Sequence, residues 1–461
     1  MTPGQPPPSP VPPPSPAPER GHGHGHHRAT PWPEARALAA RAGAEARAAT
    51  DRAPVRVPLG QALGRALAEP LRALTDLPSF DSSAMDGWAV AGPGPWRVRE
   101  ESVLAGHPGA GALAPGEAVR IATGARVPAG ATAVLRSEHA RTEPSPVGTG
   151  PGAAGTVLLH PLREVVTGQD IRPRGQECRT GDELLPAGCP VTPAVLGLAA
   201  AAGYDEVAVA PRPRVEVLVL GDELLAAGLP HDGLIRDALG PMLGPWLTAL
   251  GAEVLATRRI GDDAEALHAA VTGSAAELVV TTGGTAAGPV DHVHRVLDKA
   301  GATLLVDGVK VRPGHPMLLA RLDAGRHLVG LPGNPLAAVS GLLTLAAPLL
   351  AALAGAGGPG ASGGPGDSGA PASVPLRDGV QGHPYDTRLV PVVHRDGGLV
   401  PLHYNGPAML RGIAAADGMA VVPPGGAEAG RRPALLALPW PTQNAVAGET
   451  PPAPAQGACF T

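Results

Sequence analysis

The sequence predicts a multidomain protein of the α/β plus β class, built around one three-layer α/β domain with a parallel-sheet core. The chain has 461 residues, which is enough for about three domains. Continuous apolar runs alternate with helical patterns between residues 211 and 354, as in a parallel sheet covered by helices. Short β-branched runs separated by Gly and Pro precede and follow that segment, which favours smaller β-domains on both sides.

The N-terminal part predicts a helical and extended domain that is interrupted by a β-domain. The stretch PWPEARALAARAGAEARAAT has apolar residues at helical spacing, and VRVPLGQALGRALAEPL predicts a strand and a short helix. Residues 31–72 and 161–210 therefore form what we call the linker domain. Residues 73–160, rich in short strands and turns, form the inserted β-domain.

The central segment, residues 211–354, is called the α/β domain. Its buried strands VEVLVLG and ELVVTTGG, and the strand AEVLATRRIG, alternate with the helical patterns GPMLGPWLTALG and DAEALHAAVTGSA. Its last run, PLAAVSGLLTLAAPLLAALAGAG, approaches the length of a membrane span. We predict a buried helix instead, because the run contains Ser340, Thr344 and Pro348 and lacks basic or aromatic flanks.

The remaining segments predict one further folded unit and three unstructured ones. Residues 374–440 predict a small β-barrel-like domain, called the C-terminal domain. The Pro- and His-rich residues 1–30 lack the basic start and apolar run of a secretory signal, and we expect them to be disordered. Residues 355–373 predict a flexible linker, and residues 441–461 a disordered tail.

Composition excludes several classes of partner. The formal net charge is −5 with 17% charged residues, so the basic footprint of a nucleic-acid binder is absent, and nothing indicates an anionic membrane. The cysteines Cys178, Cys189 and Cys459 have no metal-ligand spacing and are too few for a disulfide framework. These features predict a cytoplasmic protein whose ligand is small.

Candidate site residues follow the strands of the α/β domain, and ligands of such sheets bind beyond the carboxyl ends of the strands. Each acid or glycine alone is ordinary loop chemistry. Together they predict a phosphate-binding glycine loop among carboxylates, and such a pairing implies a bridging Mg²⁺. The residues at these strand ends are Asp222, Glu223, Asp262, Asp263, Gly283, Gly284, Gly288, Asp291, Pro332, Gly333 and Pro335.

A second stretch, DSSAMDGWAV at residues 81–90, combines acids, hydroxyls and glycine inside the β-domain. Asp, Ser and Gly form turns readily, so an ordinary turn is one interpretation. Its neighbours indicate another, since PSFDSSAMDGWAV, VRIATGARVPAGATAVL, IRPRGQE, PRVEVLVLGDEL, ELVVTTGGTAAGPVDH, PGHPM and GLPGNP occur in this order. On these motifs the chain resembles the molybdopterin molybdenumtransferase family, which includes MoeA and the E domain of gephyrin.

The resemblance implies that the MoaB/MogA-like α/β domain binds the pterin. The implied reaction inserts molybdate into adenylylated molybdopterin and releases AMP, with Mg²⁺ as cofactor and molybdate as substrate. The implied assembly is a homodimer with a shared active site, in which Asp86 acts on the pterin site of the other subunit. The implied further partners are the molybdopterin adenylyltransferase and the molybdoenzymes that accept the product.

By matched position, the resemblance implies three groups of site residues. The catalytic acids are Asp86, Glu223, Asp262 and Asp291, of which Asp86, Asp262 and Asp291 would bind Mg²⁺. A structural alternative for Asp262 is that it caps the following helix. The substrate-binding residues are Thr123, Gly124, Asp237, Thr282, Gly283, Gly284, Thr285, Gly288, Lys310, Arg312, Pro313, Gly314, Pro332, Gly333, Asn334 and Pro335.

The chain departs from the family pattern at positions where an asparagine, a hydroxyl residue or a lysine is usual. The replaced positions hold Ser82, Val219, Leu220, Leu239, Ala286 and His315. A histidine is largely neutral near pH 7, so His315 would hold molybdate less firmly, and the nearby Lys310 would compensate. One alternative is therefore a non-catalytic pterin-binding carrier or scaffold of the same fold. The related adenylyltransferase is disfavoured, because it lacks the β-domains.

Overall fold

The computed structural model describes residues 29–50, 52–107, 110–144, 157–285, 292–355 and 374–440. The segments predicted to be unstructured lie almost wholly outside the described residues. Gly288 and Asp291, two of the predicted site residues, lie outside them as well.

The α/β domain is organised around a six-stranded sheet. Four adjacent strands are parallel, as the continuous apolar runs predict, and an antiparallel pair completes one edge. Leu318–Arg321 runs antiparallel to its neighbour His327–Leu331 because a tight turn joins the two strands, and a tight turn joins only antiparallel strands. In that turn, Asp323 Oδ1 accepts from the amides of Gly325 and Arg326. In spatial order the strands are Glu253–Ile260, Arg214–Leu220, Leu278–Thr282, His327–Leu331, Leu318–Arg321 and Thr303–Asp307.

Helices cover both faces of this sheet, which confirms the predicted three layers. Val217 and its neighbours two residues away pack on one side, whereas Leu218 packs on the other, as the two-residue period of a strand requires. The first face is covered by Trp32–Ala49, Leu239–Ala249 and the apolar run from residue 335. The second face is covered by Ala264–Gly273 and His292–Lys299.

The apolar run Pro335–Leu353 is long and apolar enough to cross a membrane, but 83% of its most apolar window is buried inside the protein. It consists of Pro335–Gly341, a π-helical segment Leu342–Ala346, and Ala347–Leu353. It packs against the first helix, where Trp32 Nε1 donates to Thr344 Oγ1 at 3.0 Å. These contacts support the interpretation of a core helix.

The linker domain contains the helices Leu59–Ala62 and Pro193–Ala201 and two antiparallel strand pairs. The strand pairs are Val55–Pro58 with Glu206–Val209, and Leu71–Arg72 with Glu183–Leu185. The chain enters and leaves the β-domain side by side, since the Leu77 amide donates to the Cys178 carbonyl at 2.9 Å and Ser83 pairs with Ile171.

The β-domain is a six-stranded sheet, and each strand is short, as the Gly- and Pro-punctuated sequence predicts. Its strands in spatial order are Ala133–Arg136, Gly87–Val90, Glu117–Ile121, Trp96–Val103, Val157–Pro161 and Ala140–Pro144.

A further six-stranded sheet carries the C-terminal domain and recruits strands from elsewhere in the chain. Val309–Arg312, which lies inside the predicted range of the α/β domain, pairs in parallel with Thr387–Arg395. Lys310 and Arg312 therefore lie where the α/β domain meets the C-terminal domain. The other strands are Thr30–Pro31, Gly398–Pro401, Gly418–Val422 and Ala434–Ala437.

Candidate functional site

The loops that follow three parallel strands meet at one edge of the sheet, here called the carboxyl edge. The Gly283 amide donates to the Leu331 carbonyl at 2.9 Å. A Cβ at Gly333 would lie 3.7 Å from Gly283 Cα, and a Cβ at Gly283 would lie 3.6 Å from the Leu220 carbonyl oxygen. The convergence predicted from strand-end chemistry therefore exists for these loops.

The glycine loop presents backbone amides at this edge. Gly283 and Gly284 have φ angles of +81° and +64°, a backbone region that glycine adopts without steric cost. The Gly283 amide donates to the Leu331 carbonyl, whereas the amides of Gly284 and Thr285 have no acceptor in the described part of the chain. The side chains of Thr282 and Thr285 are buried, so they shape the loop and do not present their hydroxyls to solvent.

Two adjacent acids leave the first strand in different directions. Gly221 has a φ of +130°, and a Cβ there would collide with Glu223 Oε2, so the Glu223 carboxylate folds back over its own turn. Asp222 instead reaches the next strand end, since its Oδ1 would lie 2.6 Å from a Cβ at Gly261. Its position at the end of a buried strand predicts Asp222 as a candidate, whereas the family resemblance assigns it no role.

Asp262 directly follows Gly261 and is exposed, with no hydrogen-bond partner among the described residues. The helix that follows is capped by Asp263, whose Oδ1 accepts from the amides of Glu265 at 2.8 Å and Ala266 at 3.2 Å. The alternative that Asp262 is the helix cap is therefore wrong. Two acids, Asp222 and Asp262, come from neighbouring strand ends and remain at the carboxyl edge.

Asp237 is buried and its carboxylate is already engaged. Its Oδ1 accepts from the amides of Leu239 at 3.0 Å and Gly240 at 2.9 Å, at the start of the helix Leu239–Ala249. The backbone of Asp237 is fixed as well, because its amide donates to Leu225 at 3.0 Å. Asp237 thus stabilises a helix start near the site.

The PGHP loop is packed against the helix Pro335–Gly341. Gly314 has a φ of +112°, and a Cβ there would lie 2.9 Å from Met317 Cε and 3.0 Å from the Ala337 carbonyl oxygen. His315 Nδ1 lies 2.8 Å from the Val309 carbonyl oxygen. Because a carbonyl only accepts, Nδ1 must carry a proton, so neutral His315 has no proton on Nε2 to donate to an anion.

Arg312 binds a buried acid of the C-terminal domain. Its Nε donates to Asp386 Oδ2 at 2.8 Å, while the terminal nitrogens of the guanidinium have no acceptor in the described part of the chain. Lys310, two residues earlier on the same strand, is half-buried beside Pro31. Pro313, the next residue, is also half-buried.

The helix start that follows the GLPGNP turn is covered by the C-terminal domain. Pro335 occupies the first turn of its helix, and the amides of Leu336 and Ala337 donate to the Pro407 carbonyl at 2.9 Å and 3.2 Å. A carbonyl of the C-terminal domain therefore occupies the helix start that would otherwise attract an anion. Within the turn, Pro332 is buried, and Gly333 and Asn334 are exposed.

In the β-domain, three predicted residues form one cluster. Asp86 Oδ1 accepts from the Thr123 amide at 2.7 Å, and hydrogen bonds from the Thr123 amide and side chain lower the pKa of Asp86 below its usual value. The Gly124 amide donates to the Ser83 carbonyl at 2.8 Å, and Ser83 Oγ donates to the Met85 carbonyl at 2.6 Å. DSSAMDG is thus a turn that holds an exposed, ionised Asp86.

The structure does not join this cluster to the carboxyl edge within one chain. The hydrogen bonds of Asp86 all lie inside the β-domain. In the described ranges, no group of three or more His, Cys, Asp or Glu residues could hold a metal ion. The set Asp86, Asp262 and Asp291 stays a prediction, since Asp291 lies outside those ranges.

Comparison with known proteins matches the same regions to three family models. Residues 31–203 match the MoeA N-terminal region (domain I and II), residues 216–352 a probable molybdopterin binding domain, and residues 373–432 the MoeA C-terminal region (domain IV). Molybdopterin molybdenumtransferase 2 of Mycobacterium tuberculosis is 38% identical over 303 residues, 62% of this chain and 72% of that protein. The chain belongs to the molybdopterin molybdenumtransferase family.

Other relatives agree with this family. The molybdopterin molybdenumtransferase of Staphylococcus aureus (strain COL) is 31% identical over 318 residues, 66% of this chain and 72% of that protein. The crystal structure of a molybdopterin biosynthesis MoeA protein from Pyrococcus horikoshii OT3 is 22% identical, covers 89% of this chain and all of its own, and has a TM-score of 0.69. That likeness confirms the predicted fold class.

Proposed function

We propose that this protein is a molybdopterin molybdenumtransferase, which inserts molybdenum from molybdate into adenylylated molybdopterin and releases AMP. The observation that supports this proposal is the carboxyl edge, where an open glycine loop meets the GLPGNP turn and two acids come from neighbouring strand ends of the same sheet. Its family membership assigns the chain to molybdenum cofactor biosynthesis.

The glycine loop supplies the phosphate contacts in this proposal. The amides of Gly284 and Thr285 have no acceptor among the described residues, so in this proposal they bind the phosphate oxygens of the substrate. The acids beside the loop would repel those oxygens unless a cation lies between them. Gly288 lies outside the described residues and remains a predicted contributor.

Magnesium fits this edge through few protein ligands. Mg²⁺ is usually held by one or two carboxylates together with substrate phosphates, so a large acidic cluster is not needed. Asp262 is exposed and has no hydrogen-bond partner within the described ranges, and Asp222 reaches the adjacent Gly261, so these two would hold the ion. When bound, the ion would offset the charge of the phosphate and the leaving AMP. Glu223, Asp86 and Asp291 remain predicted contributors.

Molybdate is held by cationic donors of the strand Val309–Arg312 in this proposal. The terminal nitrogens of Arg312 have no acceptor in the part of the chain that the structure describes, and a guanidinium presents parallel N–H groups that suit an oxyanion. Lys310 adds a second positive charge on the same strand. His315 contributes shape only, because its Nδ1 proton is directed at Val309.

Turnover of the purified protein tests this function. The protein is incubated with adenylyl-molybdopterin, Mg²⁺ and molybdate, and AMP and molybdenum-bound pterin are quantified. We expect AMP and product to form in equal amounts, and omission of molybdate or Mg²⁺ to reduce both. Pterin binding without AMP release would instead support the carrier or scaffold alternative.

The homodimer with a shared site is a separate proposal. It is motivated by the hydrogen bonds of Asp86, which in the described residues join it to Thr123 and Ser137 of the β-domain and not to the carboxyl edge. Two inactive variants, Asp86→Asn and Asp262→Asn, are unfolded together and refolded to allow mixed dimers. If Asp86 acts in trans, each mixed dimer has one intact site, and activity returns. No recovery would contradict the shared site and leave the transferase function intact.

The cytoplasmic location, and contacts with the adenylyltransferase and with acceptor molybdoenzymes, also belong to this proposal. They follow from the chemistry of the substrate and product, which must be received from one enzyme and passed to another. Co-purification of these enzymes from a cell extract, compared with an Asp86→Asn control, measures such contacts.

A further inference from the structure

A large cleft lies at the opposite edge of the same sheet, where the parallel strands begin. Arg214 and Glu253 open two neighbouring strands, and Glu277 directly precedes a third. All three line a cavity of about 1010 Å³, called the hinge cavity. That volume is at the upper end of the usual range for small-molecule sites.

The hinge cavity lies at the crossing between the linker domain and the α/β domain. The chain leaves the helix Trp32–Ala49 through residues 52–55 and returns from the linker domain through residues 210–214. Arg52 on the first connection and Arg212 on the second both line the cavity, as does Arg65 of the linker domain. A ligand in this cavity therefore contacts both connections.

Glu277, one of the two acids that line the hinge cavity, is paired with an arginine of the protein. Arg52 Nε lies 3.0 Å from Glu277 Oε1, and both side chains are nearly buried. The other oxygen of Glu277 accepts from the Arg214 amide at 2.7 Å. Arg65, Arg212 and Arg214 then face only Glu253 among the charged lining residues, so the hinge cavity carries excess positive charge.

These arginines have fewer acceptors than donors. Arg65 Nη2 donates to the Ala210 carbonyl at 3.2 Å, but its Nε is buried and has no hydrogen-bond partner among the residues that the structure describes. Burial, and then the charge of Arg212, lower the pKa of Arg65, and the smaller opposing effect of Glu253 does not offset them. A bound anion would supply both missing charge and missing acceptors.

We propose that the hinge cavity is a binding site for a small polyvalent oxyanion, such as a phosphate-bearing metabolite, held by Arg65, Arg212 and Arg214. The site lies at the edge of the sheet opposite the transferase site and goes beyond the proposed function. Because an anion there bridges the linker domain and the connection to the α/β domain, it restricts how the linker domain, and the β-domain it carries, can tilt.

Inorganic pyrophosphate is the probe for this site. Binding to the full chain, without pterin or molybdate, is measured by isothermal titration calorimetry. We expect one site per chain in addition to any at the carboxyl edge, weakened about tenfold or more by the double substitution Arg65→Gln and Arg212→Gln, since two charge-assisted contacts are lost. Hydrogen exchange of residues 52–58 and 209–214 should slow when pyrophosphate is added.

Two control variants locate the binding. Arg72→Gln removes an exposed arginine of the linker domain outside the cavity and should leave pyrophosphate affinity unchanged. Lys310→Gln removes a cation near the carboxyl edge and should leave the hinge site unchanged. Thermal unfolding without pyrophosphate checks the double variant, which should unfold no earlier than wild type, because it removes repulsion between like charges.

The results separate this proposal from the transferase function. Loss of the hinge site in the double variant, with AMP release retained, supports it. Equal pyrophosphate binding by the double variant and wild type, or loss of all binding on Lys310→Gln, would overturn it. A chain with no AMP release but an intact hinge site would contradict only the transferase proposal.

Discussion

The two edges of the central sheet differ in sign of charge and in construction. At the carboxyl edge, Asp222 and Asp262 lie at two neighbouring strand ends, and the strand on the other side of Arg214–Leu220 ends in the glycine loop. At the amino edge, arginine side chains from three separate segments surround the hinge cavity. One edge therefore presents carboxylates with amides, and the other presents guanidinium groups.

This difference determines how each edge can bind an anion. A phosphate at the carboxyl edge meets carboxylates, so its binding depends on a divalent cation. An anion at the amino edge meets arginines directly, so its binding depends mainly on ionic strength. Removal of Mg²⁺ should thus weaken anion binding at the carboxyl edge, and addition of salt should weaken anion binding at the amino edge. Substitutions at either edge test this comparison.

The largest expected effect is on stability at the amino edge. Arg52→Gln leaves Glu277 nearly buried without its ion-pair partner, which should lower the free energy of unfolding by about 3 kcal/mol. Calorimetric thermal unfolding measures the loss. Arg56→Gln, in an exposed pair with Glu69, is the control and should change stability by less than about 1 kcal/mol. Equal effects would show that the hinge ion pair is unimportant.

The next effect is on turnover at the carboxyl edge. Asp262→Asn keeps the size of the side chain but removes the charge proposed to hold Mg²⁺, so AMP release should fall by about 100-fold. Asp263→Asn is the matched control, because asparagine caps helices as well as aspartate does. If both variants keep full activity, Asp262 does not act in the reaction.

A smaller effect is expected from the glycine loop. Gly284→Ala forces a side chain into a left-handed conformation, at about 1–2 kcal/mol, and places a Cβ 3.3 Å from Val293 Cγ2. Gly251→Ala has the same backbone strain in open space. Both should lower thermal stability similarly, whereas only Gly284→Ala should weaken pterin binding. Equal pterin binding by the two variants would exclude a role for the loop.

The smallest expected effect at neutral pH is on stability, and it comes from His327 at the start of the strand His327–Leu331. Burial, and then the charge of Arg321, lower the pKa of His327 from 6.5 to about 4. Below pH 6.5 the unfolded chain takes up a proton that the folded chain refuses, so stability falls as the pH drops from 6.5 towards 4. His327→Gln should remove this part of the pH dependence, measured by thermal unfolding from pH 4 to 7.5. An unchanged slope would contradict it.

The layered α/β core could be predicted because its information is local. A continuous apolar run indicates that its strand is buried on both faces, and the spacing of apolar residues in a helix indicates which side packs on the sheet. The glycine loop and the acids at strand ends follow from the same order of elements.

The features that the sequence does not predict depend on contacts between residues that are far apart in the chain. Val309–Arg312 pairs with a strand that begins at Thr387, and the short sequence VKVR does not indicate which sheet it joins. The pairing of Arg312 with Asp386 has the same origin. Between Asp262 and Asp263, only backbone geometry decides which acid caps the helix.

The entry and exit of the β-domain lie together, where the Leu77 amide meets the Cys178 carbonyl and Ser83 pairs with Ile171. Because the two connecting segments lie side by side, the β-domain is attached to the rest of the chain at one place and forms a module. Its loops can lengthen, or the whole unit can be grafted from a relative, without rerouting the remaining polypeptide. Evolution can therefore retune the part that carries Asp86 while the pterin-binding sheet is preserved.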